Sequence, residues 1–241
     1  MTALPSPLPE LMQAMSAQGL NLHGCIPMST LPKAWHAAAP QAGSALPSRG
    51  GLWVISHRGP ALWRHLNRLW GEGWATRSDQ NDAIDDWVRA EVSQALDAAG
   101  VRHQALFPGG DVALPLQALG ESLAWGRASP MQISIHAEWG TWMAYRAVFW
   151  LDLPLPLWGQ AQAAHPCEHC AHRACEQACP ADALRPLWRG EACAQQRLRQ
   201  ASPCANNCLA RRACPVGADW AYGDAQMAYH SGQSLRYLRA M

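Results

Sequence analysis

Apolar and polar positions along the chain first suggest alternating helices and strands. Pro9 to Gln18 has the mixed pattern of a short helix. Gly51 to Ser56 is an unbroken apolar run opened by glycine, as in a buried strand. Pro60 to Trp70 places proline in the first turn of a predicted helix. The clearest helix begins near Ser78 or Asp79, either able to cap it, and carries Ile84, Trp87, Val88, Val92, Ala95, Leu96 and Ala99 at helical spacing before Gly100.

Val101 to Phe107 reads as a strand and Pro115 to Trp125 as a helix. Gln132 to His136 and Trp142 to Leu151 read as two strands joined by a tight Glu138-Trp139-Gly140 turn, and Asp224 to Arg239 as a final helix. The pattern predicts an α+β fold. A proline-rich connector, Leu153 to Gly159, divides residues 1–158 from a small unit at 159–241.

Composition allows a substantial core, since 49% of residues are hydrophobic and 13 are Trp. The net charge of +1 does not call for an anionic partner, so no nucleic acid and no membrane are expected. The N-terminal stretch lacks the basic and apolar regions of a secretory signal, and no apolar run is long enough to span a bilayer. A cytoplasmic location is the expectation, and there cysteines serve metals more often than disulfides.

Of the 9 cysteines only Cys25 lies outside the segment from Cys167 to Cys214. Two runs each end in Cys-Pro: Cys167, Cys170, Cys175, Cys179 and then Cys193, Cys204, Cys208, Cys214. In two-cluster ferredoxins the cysteine before proline ligates the other cluster. The expected sets are therefore Cys167, Cys170, Cys175 and Cys214 for one [4Fe–4S] cluster, and Cys179, Cys193, Cys204 and Cys208 for the second. Zinc is the competing occupant, with His165, His169 and His172 close by.

The segment Ile133-Ser-Ile-His-Ala-Glu-Trp-Gly-Thr-Trp-Met-Ala-Tyr-Arg-Ala-Val148 resembles the I-H-P-R-F-G-G-W-F-A-x-R-G-V stretch of the cobalamin-processing CblC (MMACHC) family. It is also similar to the H-P-E-Y-G-S-W stretch of epoxyqueuosine reductases, whose cysteine order, including an isolated cysteine like Cys193 between the two clusters, this chain resembles. The resemblance implies a nitroreductase-like sandwich domain followed by a ferredoxin-like domain with two clusters. It implies a corrinoid resting near Leu116, Gln117, Ser134, Ile135, His136 and Trp142, with a low-potential electron donor as partner. Where CblC has Arg after H-P this chain has Glu138, so glutathione-dependent dealkylation is not implied. Asp111 is the candidate proton donor, and Arg146, isolated in an apolar strand, needs a polar partner. The implied activity is reduction or processing of cobalamin. An electron carrier, a corrinoid chaperone, an epoxyqueuosine reductase-like cobalamin-dependent reductase and an FMN-dependent enzyme remain alternatives.

Overall fold

The computed structural model describes residues 3–32, 47–76, 82–109, 114–161 and 163–240. Helix α1 (Leu8–Ala17) leads into β1 (Leu22–Pro27), followed by β2 (Gly51–Arg58), α2 (Ala61–Trp70), α3 (Ala83–Ala98) and β3 (His103–Phe107). Next come α4 (Leu116–Ser122), the short strands β4 (Arg127–Ala128) and β5 (Ser134–Ile135), and the long β6 (Met143–Leu151). The cysteine-bearing part holds α5 (Ala174–Ala178), α6 (Gly190–Leu198), α7 (Leu209–Ala213) and α8 (Asp224–Ala240). The result is a mixed α+β fold.

Four strands form an antiparallel sheet in the order β1-β2-β6-β3. Side chains alternate across a strand, and both faces of this sheet are covered. Trp53 and Ile55 of β2 face a core shared with α1, α2 and α3, while Leu52 and Val54 face a second core with Trp125, Trp139 and Trp150. Burial on both faces explains why Gly51–Arg58 reads as an uninterrupted apolar run rather than an alternating one. Helix α3 is capped by Asp82, whose side chain accepts from the Asp85 amide; the expected caps Ser78 and Asp79 lie outside the described residues.

Two sequence expectations change. The strand expected at Gln132 to His136 contracts to Ser134–Ile135, because Gln132 adopts a left-handed conformation with φ 57°. It also does not pair with β6: β5 pairs with β4, and the Glu138-Trp139-Gly140 turn closes only a bridge between His136 and Gly140. Strand β1 was not anticipated. Gly24 and the terminal Pro27 dilute its pattern, yet a Cβ at Gly24 would collide with the Leu123 side chain, so the strand needs glycine there.

The cysteine-bearing part is fastened to the sheet by its last helix. Tyr229 of α8 is buried in the first core and donates to Asp82 at 2.9 Å. Arg146 of β6, 5% exposed, donates to His57 at 3.1 Å and Asp85 at 3.2 Å and meets the ring of His230 on α8 at 3.4 Å. His57 in turn bonds the Tyr222 hydroxyl at 3.0 Å. The polar partners that Arg146 requires are thus drawn from three different elements.

Candidate redox site

Proline shapes the cysteine layout. A residue before proline is pushed out of the helical region, and Cys179 and Cys214, each followed by proline, are extended residues that end α5 and α7. Each therefore leaves its own run and turns toward the other, while α5 packs against α7.

The thiols consequently fall into two quartets. Cys167, Cys170, Cys175 and Cys214 line a narrow cavity with Ser129 and Met131. Cys179, Cys193, Cys204 and Cys208 line a larger one of about 300 Å³. Burial pushes the Cys167 thiol up to about 11, and the further upward influences come from Cys214, Cys175 and Cys170. Cys193 is raised first by burial and then by Cys208, Cys179 and Cys204, with Arg197 opposing. All nine cysteines are free of disulfides.

Among the described residues, no three His, Cys, Asp or Glu side chains converge closely enough on one point to hold a single metal ion. A zinc ion draws its sulfurs to about 2.3 Å of one centre. A [4Fe–4S] cube also takes four thiolates, each on a different iron. The surroundings also suit a sulfur-rich group. Met131, Leu184 and Ala210 pack around Cys175, Cys179 and Cys208, and the hydroxyl of Ser129, 2% exposed, has no partner among the described residues. That hydroxyl lines the first cavity. The residues present fit two such clusters.

A third cavity, of about 320 Å³, lies between α4, β5 and β6. Leu116, Gln117 and Ser134 line it together with Met143, Tyr145 and Arg211. The Tyr145 hydroxyl lies 3.3 Å from Ser134 Oγ, and burial raises its pKa. Gly120 backs this hydroxyl so closely that any Cβ there would overlap it. Gln117 is held by donation to the Gln132 carbonyl at 2.7 Å. The third cavity and that of the second quartet share two lining residues, Ile133 and Arg211.

The other proposed corrinoid contacts lie elsewhere. Ile135 is buried and lines the first quartet's cavity. His136 stacks on Trp139 with ring centroids 3.4 Å apart and accepts from the Glu138 amide. Trp142 is buried beneath Arg211, whose guanidinium carbon is 4.7 Å from the ring centroid. Asp111 lies outside the described residues. Sequence reasoning missed Tyr145, although it follows Met143 on the same face of β6, and missed Ser129 and Arg211, whose roles arise only from tertiary packing.

Solved structures give the arrangement a context. An epoxyqueuosine reductase crystallised with a tRNA-Tyr epoxyqueuosine-modified stem loop superposes with a TM-score of 0.56 at 14% identity, over 92% of this chain and 68% of that one. The fold resembles that of epoxyqueuosine reductase. The enzyme from Bacillus subtilis gives 0.56 at 13% identity, covering 90% of this chain and 67% of its own. A catabolic reductive dehalogenase in complex with 3-bromo-4-hydroxybenzoic acid gives 0.52 at 15%, covering 95% of this chain. This chain spans 34% of that dehalogenase. Another dehalogenase structure, described in terms of B12-dependent dehalogenation, gives 0.51 at 14% identity, with 95% of this chain and 34% of that chain covered. No family model matches the chain, and no curated protein does.

One expectation is corrected by these likenesses. The absence of a nucleic-acid partner was inferred from the near-neutral net charge, yet a protein of this fold was crystallised with a tRNA stem loop. Net charge is a whole-chain sum and does not describe any one face. Among the described residues no helix is long and apolar enough to cross a membrane.

Proposed function

We propose that this chain is a cobalamin-linked iron–sulfur reductase. Residues 1–158 would form a nitroreductase-like corrinoid-binding unit and residues 159–241 a ferredoxin-like unit. Cys167, Cys170, Cys175 and Cys214 hold one [4Fe–4S] cluster, and Cys179, Cys193, Cys204 and Cys208 hold the other. When bound, such clusters supply single electrons at low potential and a corrinoid supplies the reactive cobalt. The observation that carries the reading is the wall of Ile133 and Arg211 shared by the second quartet's cavity and the third cavity. Electrons arriving at the second quartet are then next to whatever occupies the third cavity.

In this reading Leu116, Gln117 and Ser134 would support the corrinoid, and the Tyr145 hydroxyl, 3.3 Å from Ser134 Oγ in the same cavity, would supply a proton there. The electrons come from a separate low-potential donor. The reaction is reduction of cobalt or reductive removal of an upper ligand, as the resemblance to CblC implies. The test is anaerobic reconstitution followed by titration with hydroxocobalamin. A shifted corrinoid spectrum, and its reduction only while both clusters are present, is the expected result.

A second reading is favoured by the likeness to the epoxyqueuosine reductase crystallised with a tRNA stem loop. Here the reduced ligand would sit on an RNA. Retardation of a tRNA stem loop in a native gel, together with cobalamin-dependent change of the RNA, would select this reading over free corrinoid processing.

A further inference from the structure

We propose that Arg211 is a fixed counter-charge of the second quartet, holding the redox centre there at a higher potential than the protein would otherwise allow. The proposal rests on the reading of Cys179, Cys193, Cys204 and Cys208 as a cluster site. Arg211 lies midway between Cys208 and Cys214 on the single-turn helix α7, and its side chain lines both the second quartet's cavity and the third cavity. It is clamped in place. Its guanidinium donates to the Thr141 carbonyl at 2.5 Å and the Thr141 hydroxyl at 3.3 Å. The same group lies over the rings of Trp142 at 4.7 Å and Tyr222 at 4.9 Å.

Among the described residues no carboxylate pairs with Arg211, whereas the adjacent Arg212 meets Asp224 at 2.7 Å. Burial lowers the Arg211 pKa, opposed chiefly by Tyr222 and by the sulfur of Cys208. Withdrawing a cation from water without an anionic partner is costly. A cube ligated by four thiolates is anionic, gains negative charge on reduction, and would lie on the Cys208 side of this guanidinium. A nearby positive charge in a poorly solvated site favours the more negative, reduced state. No residue of comparable charge lines the first quartet's cavity among the described residues, where the uncharged Ser129 stands instead. Arg197 also lines the second quartet's cavity, donating to the Ser234 hydroxyl and the Ser231 carbonyl, but of the two arginines only Arg211 also lines the third cavity. Arg211 would therefore raise the potential of the second cluster on the side that faces the third cavity.

The test is a redox titration of the anaerobically reconstituted full chain, followed by electron paramagnetic resonance, for wild type, R211Q, R211M, R211K and R212Q. In R211Q and R211M one of the two cluster potentials moves in the negative direction while the other stays. R211K, which keeps the charge, and R212Q, which removes a charge already paired with Asp224, retain both. Loss of one cluster from R211Q and R211M but not from R211K also supports the counter-charge role. Unchanged potentials in both neutral variants would overturn it. So would a shift or cluster loss as large in R211K, which would make Arg211 a packing residue. Wild-type protein lacking iron and acid-labile sulfide would instead defeat the underlying cluster assignment.

Discussion

The Nε of Arg146 donates to Nδ1 of His57 at 3.1 Å, joining two neighbouring strands through a charged group and a neutral ring. His57 is held well below the ordinary histidine pKa, first by burial and then by the Arg146 charge. His230, on the other side of the guanidinium, is depressed for the same two reasons. The anionic partner of Arg146 among the described residues is Asp85, pushed up to about 6 by burial, with the guanidinium opposing the shift. This cluster fastens α8 to the sheet and so sets how the cysteine-bearing part sits against the third cavity.

Replacing Arg146 by Met should therefore destabilise the fold by about 1–3 kcal/mol, because it leaves the partly buried Asp85 and His57 without the donor that pairs them. Urea unfolding of R146M against wild type measures this. Replacing Asp85 and Arg146 together by Asn and Met should cost less than the sum of the single changes.

The Tyr145 hydroxyl is fixed by the absence of a side chain at Gly120. Gly120→Ala should displace the tyrosine at a cost of about 1–3 kcal/mol. Corrinoid binding should weaken at least tenfold while iron content is unchanged. Tyr145→Phe, which keeps the ring, should bind the corrinoid normally and lose the proton-dependent step. Spectral titration and iron analysis of both variants separate the two effects.

Acid should destabilise the protein through its buried histidines. His23 is lowered to about 4, chiefly by burial, so the folded chain keeps it neutral where the unfolded chain would protonate it. Its contribution is fully present above the ordinary pKa of 6.5 and is lost as pH falls from there through about 4. The full shift corresponds to about 3 kcal/mol. Asp85 acts in the opposite direction between its raised value of about 6 and the ordinary 3.8, gaining stability as pH falls. Unfolding free energies of wild type and His23→Gln at pH 7 and pH 4.5 should show the variant losing less on acidification.

That the eight cysteines gather at two cavities is in keeping with the proline after Cys179 and Cys214, which imposes a local conformation any fold must respect; that each quartet holds a cluster is the proposal tested below. The strands Gly51–Arg58 and Met143–Leu151 were legible in the sequence because they are long apolar runs. Strand β1 was hidden by Gly24, whose purpose is to admit the Leu123 side chain. The partner of β5 was misassigned because a two-residue strand carries almost no periodic signal. Leu116, Gln117 and Ser134 share a cavity, but Ile135, His136 and Trp142 face elsewhere, since resemblance transfers a segment without the direction of each side chain. Tyr145 and Arg211 needed the fold itself, because each meets the third cavity from a different part of the chain.

The most direct test is chemical analysis of the chain reconstituted anaerobically with iron and sulfide, followed by addition of hydroxocobalamin and a low-potential reductant. The account predicts about eight irons and eight sulfides per chain, the content of two [4Fe–4S] clusters. Cys179→Ala should lower that content and abolish reduction of the bound corrinoid. Zinc in place of iron, or intact clusters beside a corrinoid spectrum that never changes, would contradict it.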